Sequence, residues 1–203
     1  MVKNKNIHHS IQAPSGETKV LLHTCCAPCS SAIIEAMMNN GIKPVIYYCN
    51  PNIYPQEEYE IRKNECTRYA ESLGLEIVDA DYDHENWLEA VKGLESEPER
   101  GGRCLKCFKL RLFRTAEYAR QRGIKVITTT LASSRWKSLE QINEAGAWAC
   151  DTVSSGNPDD TVLWWDQNWR KGGLQERRLQ IIKEYEFYNQ LYCGCEFSMR
   201  KED

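Results

Sequence analysis

A chain of 203 residues with 41% hydrophobic and 27% charged side chains can bury a sizeable core, and that balance excludes a collagen-like fibre and wholesale disorder. No apolar run approaches the roughly 18 residues that a membrane-spanning helix needs. The net charge of -3 gives no global attraction to phosphate backbones, so a nucleic-acid partner would have to be held by local basic patches.

The N-terminal stretch MVKNKNIHHSIQAPSGE carries no apolar segment of the secretory kind, so the product is expected to stay in a reducing cytoplasm. Residues 1–16 read as a flexible tail, with His8 and His9 inside it, and residues 17–203 as a single catalytic α/β domain. Short apolar, β-branched or aromatic runs follow at Lys19 to Thr24, Val45 to Cys49, Leu75 to Asp79, Lys125 to Leu131 and Thr161 to Trp165, and they read as buried strands. The segments between them have helix-forming composition. Three of these stop at Gly41, Gly74 and Gly123 just before the next strand, where glycine supplies the left-handed residue that ends a helix. Strands alternating with helices imply a mostly parallel sheet with helices on both faces, and a ligand crevice beyond the carboxyl ends of the strands.

Gly93 to Arg103 is glycine-rich and charged and reads as a mobile loop. A helix is expected from near Leu105. A last long helix, from about Gly173 to Asn189, has Leu174, Ile181, Ile182, Tyr185 and Tyr188 at helical spacing, and its apolar face is expected to dock onto the sheet.

Ten cysteines in a chain without a secretory signal need an explanation other than structural disulfides. Seven fall into three clusters: Cys25, Cys26 and Cys29 after the first strand, Cys104 and Cys107 after the loop, and Cys193 and Cys195 after the final helix. All three clusters stand at element ends, where side chains can converge on one crevice. Cys49, Cys66 and Cys150 read as packed core thiols, and His23 as a satisfied core histidine.

Three chemistries remain open from the residues alone. Cys26 and Cys29 have the placement of a thioredoxin-like redox pair, a reading that leaves Cys104 and Cys107 unused. Together the two CxxC pairs could hold structural zinc, with Cys25, Cys193 and Cys195 surplus. An iron-sulfur cluster with redox thiols beside it employs all seven. Cys25 and Cys26 are adjacent, and in an extended strand they would face opposite ways, so both can serve one site only if the chain turns there. The spacing does not settle which thiolates bind metal. Cys193-Gly194-Cys195 is too short for an unstrained structural disulfide, and strained disulfides cycle readily, which suits a two-electron reduction.

The segments LLHTCCAPC, CNPNIYPQEEY, GGRCLKCFKLRL, TTTLASSRWKS and EYEFYNQLYCGC resemble the QueH-type epoxyqueuosine reductases, over about Lys19 to Phe197. The resemblance implies an oxidoreductase that reduces epoxyqueuosine to queuosine at the wobble position of tRNA, the last step of a hypermodification pathway. It also implies a fold similar to the nucleotide-binding α-hydrolase-like sheet of the PP-loop enzymes. Thr24 to Ser30 stands where those enzymes keep a serine-glycine-rich phosphate loop, so ATP use is not expected. Carried over by motif, Cys25, Cys26, Cys104 and Cys107 match the ligands of a 4Fe-4S cluster, and Cys193 and Cys195 the redox-active pair. Cys29 is expected to carry an additional mononuclear iron. The expected chemistry is polarisation of the epoxide oxygen by iron while two electrons and two protons leave an alkene and water, with an external electron donor reopening the disulfide.

A tRNA substrate asks for phosphate contacts and for aromatics that stack an unpaired base. Arg100, Arg103, Lys106, Lys109, Arg111 and Arg114 form one basic run, and Arg170, Lys171, Arg177 and Arg178 another, near Trp164, Trp165 and Trp169. Basic runs are usually solvated faces, and some of these tryptophans are expected in the core. Asn50, Asn52, Tyr54, Arg103, Trp169, Arg170 and Lys171 are the expected substrate contacts. A general thiol-disulfide oxidoreductase and a zinc-stabilised RNA-binding module are the competing classes.

Overall fold

The computed structural model describes residues 10–155, 160–190 and 192–199. Five parallel strands form one sheet in the order β3-β2-β1-β4-β5, with β1 Lys19–Thr24, β2 Lys43–Tyr48, β3 Ile77–Asp79, β4 Val126–Thr129 and β5 Leu163–Trp164. The central strand β1 runs beside β2 through Lys19–Lys43 to Thr24–Tyr48 and beside β4 through Leu21–Ile127 to His23–Thr129. Val20, Leu21 and Leu22 are fully buried, as expected of a strand covered on both faces.

The helices fall into two packs. Helix α1 (Ala27–Asn39) packs on α2 (Gln56–Ser72) and α6 (Leu174–Glu184), while α4 (Gly102–Gln121) packs on α3 (His84–Val91) and α5 (Leu139–Ser154). Right-handed crossovers, leading outward through β2 and β3 and then back across β1 to β4 and β5, put the packs on opposite faces of the sheet. Gly41, Gly74 and Gly123 have φ of 74°, 66° and 64°, the left-handed helix ends expected from sequence. Among the described residues no helix is long and apolar enough to cross a membrane.

Strand order reverses between β1 and β4. In an open α/β sheet the crevice opens at this point, because the two crossovers leave in opposite directions. Cys25 to Cys29 follow β1, and the tight turn Thr130–Ser133 follows β4, so both lie at that crevice.

Several expectations need correction. Strand β1 coincides with its apolar run and β2 begins two residues before its run, at Lys43, whereas β3, β4 and β5 are shorter than theirs. Residues 10–16 are not a free tail: Ile11 and Ala13 are buried in the core and Ile11 N–H donates to Asn40 Oδ1 at 3.3 Å; residues 1–9, with His8 and His9, lie outside the described residues. The loop before α4 is tied down, with Arg103 donating to the carbonyls of Leu94, Glu95 and Glu97 and Arg100 to those of Arg135 and Trp136. Helix α4 starts at Gly102 rather than near Leu105, which puts Cys104 and Cys107 inside its first two turns. The last helix ends at Glu184, where Glu186 takes φ 52°, and it docks on α1 instead of the sheet.

Candidate active site

Strand β1 delivers Cys25 to the crevice, and the chain turns immediately. Cys26 is the extended residue before α1, with φ -171° and ψ 158°, and Pro28 occupies the first turn, where its missing N–H costs nothing. This turn resolves the facing problem of two adjacent cysteines: Cys25 Sγ and Cys26 Sγ are 3.8 Å apart, and with Cys29 Sγ all lie within 4.8 Å of one another. Two thiolates about 2.3 Å from one tetrahedral ion stand about 3.8 Å apart, so the trio has the spacing of ligands to a metal ion. Hydrogen bonding from the Cys26 and Cys29 thiols holds Cys25 well below the usual thiol range. Burial and the bond to Cys25 push Cys26 up, and the bond to Cys25 raises Cys29 to about 12. Gln190 Nε2 donates to Cys26 Sγ at 2.9 Å, and the Cys25 N–H donates to Thr130 Oγ1 at 3.3 Å, linking the two sides of the switch point.

Helix α4 carries the second cluster. Cys104 and Cys107, three residues apart, share a face, and one turn later Arg111 follows on it. The Arg111 guanidinium is buried; it donates to Cys49 O at 3.1 Å and to Asn50 Oδ1, and its NH1 stands 3.9 Å from Cys107 Sγ. The Arg100 N–H donates to Cys104 Sγ at 3.3 Å.

The third cluster is clamped from α2 and the loop before it. Tyr54 N–H donates to Gly194 O at 2.9 Å, Arg62 reaches the carbonyls of Cys193 and Tyr192, and the Tyr192 hydroxyl donates to Tyr54 O. Gly194 sits at φ 108°, a conformation that disfavours side chains. Cys193 is exposed, and Lys137 Nζ donates to its sulfur at 3.0 Å. Desolvation works against the charged sulfur, but the Lys137 ammonium, helped by Arg111, outweighs it and lowers the Cys193 thiol. Cys195 is 8% exposed, packed with Trp87, Val91 and Cys107, and burial pushes its thiol up to about 12.

A cavity of about 680 Å³ joins the clusters, and six of the seven clustered cysteines line it: Cys25, Cys29, Cys104, Cys107, Cys193 and Cys195. That volume suits a nucleoside-sized ligand. Cys26 is buried beneath the lining.

The expected substrate contacts fare unevenly. Asn52 lines the cavity, and its buried Oδ1 has no hydrogen-bond partner among the described residues. Arg103 lines it as well, with its guanidinium committed to loop carbonyls. Asn50 is fully buried between Thr24 O and Arg111, and Trp169 is fully buried against Trp165 with its indole N–H on Thr128; neither reaches the cavity, because local packing claims both side chains. Tyr54 is 43% exposed and stacks on His84, outside the lining. Arg170 donates to Lys137 O and Lys171 is exposed, and neither lines the cavity. Within the basic runs, Lys109 pairs with Glu144 and Arg177 with Glu35 and Glu184, whereas Arg178 lines the cavity. Sequence reasoning did not single out Trp136, 65% exposed beneath the Arg135 guanidinium, nor Lys137, Gln190 and Arg62; Trp136 and Lys137 sit in TTTLASSRWKS and Gln190 in EYEFYNQLYCGC, segments that carry the family resemblance, and that was the signal that could have found them. His23 is the satisfied core histidine expected: burial lowers it to about 3, and its ring contacts Thr129 Oγ1 and Cys49 O. Cys49, Cys66 and Cys150 are buried as well.

Fold and site together define an α/β protein that gathers thiols at the switch point of a parallel sheet, with Cys25, Cys26 and Cys29 able to hold a metal ion. The family model described as epoxyqueuosine reductase QueH matches residues 20–201. Relatives of that name include the protein of Histophilus somni, 47% identical over 98% of this chain and 80% of the relative, and that of Haemophilus influenzae, 47% identical over 96% and 77%. The Thermotoga maritima protein is 33% identical over 89% of this chain and 90% of its own length. The chain belongs to the epoxyqueuosine reductase QueH family, a family of oxidoreductases.

Proposed function

We propose that this chain reduces epoxyqueuosine to queuosine in the anticodon loop of tRNA, using a 4Fe-4S cluster and the Cys193–Cys195 dithiol. The observation that carries the reading is the convergence of three cysteine clusters on one nucleoside-sized cavity at the switch point. Cys25 from the turn after β1 and Cys104 and Cys107 from α4 line one cavity, and in this reading Cys25, Cys26, Cys104 and Cys107 would hold the iron-sulfur group, while Cys25, Cys26 and Cys29 are the trio within 4.8 Å of one another. When bound, that group supplies electrons and a Lewis-acidic iron to the epoxide oxygen. In the same reading Cys29, whose sulfur lies within 4.8 Å of those of Cys25 and Cys26, would hold an additional iron.

The chain's own side chains supply the rest. Trp136 offers a ring at the cavity wall for base stacking, and Arg100 and Arg178 supply cationic surface there for phosphate. The unpartnered Asn52 Oδ1 is placed to accept a hydrogen bond from a base N–H. Cys193, exposed, and Cys195, packed behind it, form a dithiol that gives up two electrons on closing to a disulfide, which an external donor in the cytoplasm reopens.

Anaerobically reconstituted protein, dithionite and epoxyqueuosine-bearing tRNA test the reading by nucleoside mass analysis. The expected product lacks one oxygen atom. Unchanged nucleoside with a brown, cluster-loaded enzyme overturns the activity. A colourless protein holding stoichiometric zinc would support the zinc-stabilised RNA-binding module instead. Full turnover by Cys193→Ser and Cys195→Ser variants with both dithionite and the cellular donor removes the dithiol from the reaction.

A further inference from the structure

The two sulfurs of the C-terminal pair are chemically unequal. Both line the cavity, but Cys193 is exposed with Lys137 Nζ 3.0 Å from its sulfur, whereas Cys195 is buried against Trp87, Val91 and Cys107. The Lys137 ammonium has its sulfur contact with Cys193, and Cys25 acts on it as well. The contact is held from both sides. Lys137 N–H donates to Ser134 O at 3.3 Å, Arg170 donates to Lys137 O at 2.8 Å, and Ser138, the next residue, caps α5. On the other side Arg62 donates to Cys193 O and Tyr54 to Gly194 O.

We propose that Lys137 is a positioning residue that keeps Cys193 as the reactive thiolate of the dithiol and stores the proton that Cys193 gives up. A charge-assisted contact between an ammonium and a thiolate is stronger than its neutral counterpart, and a neighbouring cation favours the thiolate. The other charged or titratable groups around Cys193 are Arg111 and Cys104 from α4, Cys25 from the turn after β1, Arg62 from α2 and Cys195. Arg111 adds to the effect of Lys137, and Cys25 opposes it.

The assignment rests on the proposed deoxygenation for its purpose, and there it closes the proton count. Epoxide plus dithiol gives alkene, water and disulfide: both C–O bonds break, one S–S bond forms, and the sulfurs lose two electrons. Two protons must reach the departing oxygen. One sits on the Lys137 ammonium and the other on the Cys195 thiol, so the dithiol needs no further acid.

The test does not depend on tRNA or turnover. Cluster-loaded, dithiol-reduced enzyme is treated with iodoacetamide across pH, and alkylation is followed at Cys193 and Cys195 by peptide mass analysis. In the unaltered chain Cys193 should react well ahead of Cys195 at neutral pH. Lys137→Met should move the Cys193 midpoint up toward the ordinary thiol range near about 8.5 and slow its neutral-pH alkylation about tenfold or more, with Lys137→Arg restoring it. Iron content and visible absorbance report whether each variant is intact. Equal reactivity of the two thiols in the unaltered chain, or one pH profile for all three chains, overturns the assignment. If the alkylation result holds while epoxyqueuosine is untouched, the thiolate pair stands and the proposed substrate falls.

Discussion

The Arg111 guanidinium lies 3.9 Å from the Cys107 sulfur, one helical turn further along α4, and the same side chain reaches across to Cys49 O and Asn50 Oδ1 at the end of β2. One buried cation thus ties a candidate ligand helix to the sheet. Arg111→Met leaves Asn50 Oδ1 without this donor, while Cys49 O keeps its contact with His23 Nε2 at 3.0 Å, so one buried acceptor goes unsatisfied. Denaturant unfolding should show a loss of about 1–3 kcal/mol. Arg111→Lys keeps the charge but cannot span both acceptors and should fall between. A loss below about 0.5 kcal/mol for Arg111→Met would show that the tie is dispensable.

Gly194 gives the next test. A Cβ there would approach Ile53 Cγ1 at 2.9 Å and Arg62 NH1 at 3.0 Å, on a backbone with φ 108°. Gly194→Ala is expected to cost about 1–3 kcal/mol and to pull Cys193 from Lys137, lowering turnover together with Cys193 alkylation at neutral pH. Unchanged alkylation would mean that the segment absorbs the methyl group elsewhere.

Two tryptophans separate site from core. Trp136→Ala should leave the unfolding midpoint nearly unmoved and raise KM for tRNA about 5–150-fold, the equivalent of about 1–3 kcal/mol for one lost base stack. Trp169→Ala removes a fully buried ring and should cost about 3–5 kcal/mol of stability. Reversal of the two phenotypes would contradict the assignment of Trp136 to the substrate.

Metal content probes Cys29. Cys29→Ser should lose about one iron per chain and keep the broad absorbance of the cluster, which draws on other thiolates. About four irons per chain in unaltered, anaerobically prepared protein would remove the extra ion.

The strands, the glycine-terminated helices and the position of Cys25 to Cys29 were legible because each depends on local chemistry: apolar runs, a positive φ, a proline in a first turn. Boundaries were less legible. The run from Lys125 to Leu131 looks uniform, yet pairing stops at Thr129 and the chain tightens into the turn at Thr130. Arg103 read as a mobile-loop cation, and it is instead the residue that fastens the loop, since three carbonyls converge on it only after the loop folds back.

By itself the sequence determined an alternating α/β chain with cysteines massed at element ends, because hydrophobic periodicity, turn residues and motif spacing are properties of neighbours along the backbone. Only the tertiary structure decided that Trp136 rather than Trp169 lines the cavity, that Asn50 serves Arg111 and Asn52 the crevice, and that an ammonium from residue 137 meets a sulfur from residue 193. Those outcomes depend on where strand order reverses and on which side chains the packing consumes, and both are set by contacts between segments far apart in the chain.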